Sequence, residues 1–135
     1  MKAYITCPVT HSKKRLDLLE SIRRVVEEKG INTFVFEIGG TPEDIFDLDY
    51  REIRSSELII AEVSEPSHGV GVEIGLSYGL GLKRILLFEK GNKISSMLRG
   101  FPETFLIEYE NEKCMMEKLG SVLEDLDESD RLRGC

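Results

Sequence analysis

The sequence predicts an α/β fold: a doubly wound, Rossmann-like domain with a mainly parallel five-stranded sheet and helices on both faces. Three observations carry this. Short β-rich runs alternate with segments of helical period along the chain. The run "ELIIAEV" is apolar at nearly every position, as a strand covered on both faces must be. Glycines close the early segments, at Gly30 and at the pair Gly39 and Gly40.

The elements follow in order. "KAYITCPV" is the first strand, and "LDLLESIRRVVEEKG" is a helix with Leu16, Leu19, Ile22, Val25 and Val26 on one face. "INTFVFEIGG" gives the second strand. "TPEDIFDLDYREIRSSE" starts a second helix on a Thr-Pro signal, with Ile45, Leu48 and Ile53 as its apolar positions. "ELIIAEV" is the third strand and lies centrally in the sheet. A glycine-rich helix, "VGVEIGLSYGLGL", follows, whose small residues would let it pack close to the sheet. "KRILLFEK" is the fourth strand, "ISSMLRG" a short helix, "ETFLIEYE" the fifth strand and "NEKCMMEKLGSVLEDL" the last amphipathic helix. Right-handed crossovers then make the sheet mainly parallel. In such a sheet ligands bind beyond the carboxyl ends of the strands, so chemistry is expected in the loops after "YIT", "FVFE" and "IIAEV".

The 135 residues fit one domain, residues 1–135, with the acidic tail from about residue 127 expected to fray. A net charge of −7 argues against a polymeric nucleic acid as partner, since phosphate neutralisation needs clustered Lys and Arg. A small anion held by a few backbone amides stays compatible with it. The apolar runs are short and the start lacks a signal-peptide pattern, so a cytoplasmic protein with no membrane partner is expected. Cys7, Cys114 and Cys135 are widely spaced, odd in number and accompanied by only two histidines, which favours free thiols over a metal site. No metal and no cofactor are called for.

The segment "EPSHGVGVEIG" concentrates the candidates. Gly69, Gly71 and Gly75 give a glycine spacing after a strand that is similar to a dinucleotide fingerprint, with Glu89 about twenty positions on, although that fingerprint belongs in the first βα unit. The same glycines also serve a tight turn. Glu73, expected in the first helical turn, is an ordinary helix-start carboxylate or a nucleophile that the helix dipole keeps ionised. A second acid is what separates these readings, and Asp49, before the third strand, is a candidate within an acid-rich segment. Tyr4 reads as a core tyrosine with a satisfied hydroxyl. His11 and His68 fall in loops at the expected active edge.

Tyr4 in the first strand, Asp49 ahead of an "AEV" strand, then "PSHGVGVEIG" and later "ISSMLRG" resemble the nucleoside 2-deoxyribosyltransferase superfamily, nearest to its 2'-deoxynucleoside 5'-monophosphate N-glycosidases. The likeness spans roughly residues 2 to 110. It implies Glu73 as the nucleophile on the anomeric carbon, Asp49 as the acid that assists departure of the base, and Tyr4 as the residue that orients Glu73. It implies a small deoxynucleotide as substrate, Ser67 on its 5'-phosphate, and a homodimer in which Ser95 is supplied across the interface. The substrate-binding set it implies is the first loop, Cys7, Pro8, Val9, Thr10, His11, Ser12 and Lys13, together with Ser67, Gly69, Gly71, Ser95, Ser96 and Met97. Two departures stand out. Pro8 and Thr10 occupy the places of a frequent serine and arginine, with Lys13 as the available basic replacement, and Ile38 stands where some members have a histidine beside the base.

A carboxyl pair of this kind in a retaining mechanism should lie about 5 to 5.5 Å apart. Hydrolysis of deoxynucleoside monophosphates, base exchange between deoxynucleosides and nucleotide binding without turnover are the three readings left. The two serines favour the first, and the acid pair disfavours the third.

Overall fold

A computed structural model describes the backbone of residues 1–133 and the side chains of residues 1–126. The strands are β1 (Lys2–Thr6), β2 (Asn32–Val35), β3 (Leu58–Glu62), β4 (Lys83–Glu89) and β5 (Thr104–Tyr109). The helices are α1 (Leu16–Glu28), α2 (Pro42–Arg54), α3 (His68–Gly79), α4 (Ser96–Arg99) and α5 (Glu112–Arg133). The helical backbone runs to Arg133. The expected fraying from about residue 127 concerns side chains, and at 134 and 135 also backbone, outside the described residues. So does the free thiol expected at Cys135; Cys7 and Cys114 are free.

All four strand pairings are parallel, in the order β2-β1-β3-β4-β5. The chain therefore reverses its winding direction between β1 and β3, and the crevice of a doubly wound sheet opens there, beyond the strands' carboxyl ends. Period-two alternation sends side chains to two separate cores. Ala3, Ile5, Leu58, Ile60, Ile85 and Leu87 meet α1 and α5 on one face. Tyr4, Ile59, Ala61, Leu86 and Phe88 meet Ile53 of α2 and Val70 and Ile74 of α3 on the other. Tyr4 and Thr6 share the α2–α3 face, and Glu62, two residues after Ile60, points to the α1–α5 face.

Local signals explain the boundaries. β1 stops at Thr6 rather than continuing to Val9, because Pro8 has no N–H for a ladder. In α2 the Thr41 hydroxyl caps Asp44 N at 3.1 Å with Pro42 at the first helical position. Of its three expected apolar contacts only Ile53 is buried, while Ile45 is 39% exposed and Phe46, stacked on Tyr50, is 52% exposed. Residues 41 to 47 are exposed throughout, so the first half of α2 does not pack on the sheet. α3 starts two residues before the expected Val70, since Ser67 caps it. Its glycines do not serve close packing: a Cβ on Gly71, Gly75 or Gly79 would meet nothing within 4 Å. These glycines lie on the open side of the helix, away from the buried Val70, Glu73, Ile74 and Ser77.

Candidate active site

Tyr4 and Thr6, two apart on β1, point from the sheet toward α3, and α3 turns Glu73 back toward them. The Tyr4 hydroxyl donates to Glu73 Oε2, and the Thr6 hydroxyl donates to Oε1 at 3.1 Å. Each carboxyl oxygen thus has its own O–H donor. Glu73 is only 8% exposed. Tyr4 is fixed in turn by full burial and by stacking on Phe34, with ring centroids 5.7 Å apart. Asp49 is half-buried on α2, and its charge acts on both Tyr4 and Glu73.

These contacts set the proton affinities. Burial pushes the Glu73 carboxyl up to about 7, and the neighbouring Asp49 charge adds to it, while the Tyr4 and Thr6 donors oppose it. Burial likewise raises Asp49, partly offset by the nearby Tyr4 hydroxyl. Tyr4 is raised by burial and then by Glu73, so it stays a neutral donor. Glu73 therefore differs from the expectation in two respects. It stands in the second turn of α3, because the Ser67 cap starts the helix early, and desolvation outweighs any helix-dipole help in keeping it ionised.

The raised value has a consequence for stability. A carboxyl whose folded value lies above its ordinary 4.5 binds its proton more tightly when folded, so stability is lost as pH rises from about 4.5 through about 7. Glu73→Gln removes that loss. The variant is expected to be more stable than the parent at pH 8 by on the order of 3 kcal/mol, with no gain near pH 4. Chemical denaturation at the two pH values measures it.

The other expected site residues fall into three groups. In the first loop Cys7 and Pro8 are buried, Val9 and Ser12 half-buried, and Thr10, His11 and Lys13 exposed at the carboxyl edge. Burial, with Glu62 and Glu73 nearby, pushes the Cys7 thiol up to about 12, which makes it a packing residue rather than a nucleophile. Ser67 and Ser95 are helix caps: their Oγ atoms accept from Val70 N at 3.3 Å and Met97 N at 3.2 Å. Each hydroxyl hydrogen is still available to donate. Ser67, Gly71, Ser95 and Met97 line one cavity of about 440 Å³ between α3 and α4, together with His68 and Lys93, and Tyr4, Thr6, Asp49 and Glu73 do not line it. Gly69 and Ser96 are exposed and do not line it. Gly69 and Gly71 lie inside α3, not in a loop before it, and Glu89 is ion-paired with Arg15, so the dinucleotide pattern does not form.

Thr6 is the contact that the sequence reading missed. Its signal was its parity with Tyr4. Among the described residues no group of three or more His, Cys, Asp or Glu could hold a metal ion, and no helix is long and apolar enough to cross a membrane.

A protein of Thermofilum pendens named as a 2'-deoxynucleoside 5'-phosphate N-hydrolase is 32% identical over 136 residues, covering 91% of this chain and 95% of the relative. The chain belongs to the 2'-deoxynucleoside 5'-phosphate N-hydrolase family. No protein-family model matches it. Among solved structures, a CMP N-glycosidase of Clostridium botulinum is 28% identical to this N-hydrolase-family chain with a TM-score of 0.69, covering 88% of this chain and 98% of that one. A 2-deoxyribosyltransferase of Bacillus psychrosaccharolyticus shares the fold, at 19% identity and a TM-score of 0.63, over 86% and 90% of the two chains.

This member of the N-hydrolase family carries a second polar cluster on the opposite sheet face. The buried Glu62 carboxylate accepts from Ser64 N at 2.6 Å, from Ser64 Oγ at 2.8 Å and from the Tyr109 hydroxyl. Ser64 Oγ also accepts from Glu89 N at 2.8 Å, which ties the ends of β3 and β4 together. Such saturation is what a buried carboxylate requires.

Proposed function

We propose that the protein is a cytoplasmic enzyme that hydrolyses the N-glycosidic bond of 2'-deoxynucleoside 5'-monophosphates, releasing free base and deoxyribose 5-phosphate. The observation that carries this reading is Glu73, a nearly buried carboxyl with one hydroxyl on each oxygen and Asp49 within electrostatic range, in a chain of the N-hydrolase family.

Glu73 attacks the anomeric carbon as its bond to the base nitrogen breaks, and that electron pair leaves with the base. Asp49, raised by burial, gives the departing nitrogen its proton. Tyr4 and Thr6 orient Glu73 and favour its ionised form. The Asp49 carboxylate then takes a proton from water, whose oxygen attacks the anomeric carbon and releases Glu73. Removal of the 2'-hydroxyl takes away an electron-withdrawing group, so the deoxy sugar reaches the oxocarbenium-like state more readily. Ser67 and Lys13 hold the 5'-phosphate, and the proposal includes a homodimer in which Ser95 of one protomer reaches the phosphate bound by its partner.

The test is a product analysis with each deoxynucleoside monophosphate, its nucleoside and CMP, with and without a second free base. Free base from the deoxynucleoside monophosphates alone is the expected result. Exchanged nucleoside would instead assign a transferase, and no product from any substrate would remove both enzyme readings.

A further inference from the structure

On the sheet face opposite Glu73, the ends of three strands and the β1–α1 loop converge on one guanidinium. Arg15 is the residue before α1 and closes the loop that holds Pro8, Thr10 and Lys13. Its side chain is 6% exposed. It forms an ion pair with Glu89 at the end of β4, and its Nε lies 3.8 Å from Glu62 at the end of β3 and 3.9 Å from Glu65. Its Nη1 also donates to the Tyr109 hydroxyl of β5 at 3.5 Å. Among the described residues the buried Nε has no hydrogen-bond partner, so on that side the guanidinium is held by the nearby charges alone.

The neighbours of Arg15 in the chain are anchored to the same acids. The Ser12 hydroxyl donates to both oxygens of Glu65, at 3.1 and 3.2 Å, and Lys14 stands 3.7 Å from Glu89. Glu65 lies two residues before Ser67, the cap of the helix that carries Glu73. A pull on the first loop therefore reaches the start of α3 through Glu65. The charges matter as well: Glu62, Glu65 and Glu89 surround Arg15, and among the described residues the other cation paired with them is Lys14, at Glu89. Uncompensated, these carboxylates would repel an anion entering between the loop and Ser67.

We propose that Arg15 is a positioning residue that pins the β1–α1 loop to the β3–α3 loop through Glu62, Glu65 and Glu89, and offsets those carboxylates where the substrate phosphate enters. The second half of this inference rests on the function proposed above; the first half does not. Arg15 touches no reacting atom, so its loss acts on substrate binding more than on chemistry.

The experiment combines amide hydrogen exchange with steady-state kinetics on the full chain. In Arg15→Met the amides of Lys14, Leu16 and Leu18, which bond to Ser12 Oγ, Lys13 O and Arg15 O, are expected to exchange at least about tenfold faster while those of β1 and β3 keep their protection. KM for the deoxynucleoside monophosphate should rise about tenfold or more with kcat within about threefold of the parent. Arg15→Lys, which keeps the charge without the planar fork, should recover part of the KM but not the loop protection. If Arg15→Met does not fold, Glu65→Gln replaces it and should speed exchange at Lys14 and Leu16 in the same direction. Loop exchange unchanged from the parent overturns the inference, and so does a fall in kcat at constant KM. A parent protein inactive on every monophosphate would sink the proposed function instead, leaving the exchange measurement to decide on Arg15.

Discussion

Glu73→Gln is expected to lose turnover by at least about 10⁴-fold in kcat/KM while remaining folded, because it removes the proposed nucleophile and leaves its surroundings filled. The expectation is sharp because the same substitution is expected to stabilise the protein above neutral pH. A buried carboxyl pushed up to about 7 is costly to keep ionised. Loss of activity with a gain in stability separates a chemical role from a structural one. Activity surviving within about tenfold would mean that Glu73 is a buried structural acid held by Tyr4 and Thr6.

Asp49→Asn is expected to lower kcat by about 10² to 10⁴, the usual range for loss of a positioned proton donor. The defect should depend on the leaving group. A deoxyguanosine monophosphate methylated at N7 carries a base that is already cationic and departs without a proton, so Asp49→Asn should handle it with much less loss. Side-by-side turnover of the ordinary and methylated nucleotides reads this out. Equal losses on both would assign Asp49 to substrate binding and leave the proton donor unidentified. The half-buried setting of Asp49 fits a donor, since burial raises its proton affinity above that of an exposed aspartate.

The order of elements was legible because its determinants are local. Apolar alternation in "KAYIT", the unbroken apolar "LIIAE" and the Thr-Pro start of α2 each specify a segment without help from distant residues. Glu73 and Asp49 could be paired only through a resemblance, because nothing in their spacing shows that α2 and α3 present them to the same crevice. Thr6 was missed since a single threonine in an apolar strand ordinarily packs; what matters is that it faces the same way as Tyr4. Ser67 and Ser95 each directly precede a helix and cap it, a role that the phosphate contact implied by the resemblance does not reveal. The glycines of α3 invited a close-packing account that the open space beside Gly71 and Gly75 does not support. Arg15 was invisible for a different reason. Its partners Glu62, Glu65, Glu89 and Tyr109 are scattered along the chain and meet only when three parallel strands end at one edge.

The claim on which the account depends is that Glu73 forms a covalent bond to the sugar. Mass spectrometry of protein quenched in acid during turnover of a deoxynucleoside monophosphate tests it. The peptide carrying Glu73 should gain one deoxyribose 5-phosphate unit, and the same peptide from Glu73→Gln should not. Rapid base release with no adduct at any quench time, together with inversion at the anomeric carbon, would contradict it, because water would then be the attacking group and Glu73 its base.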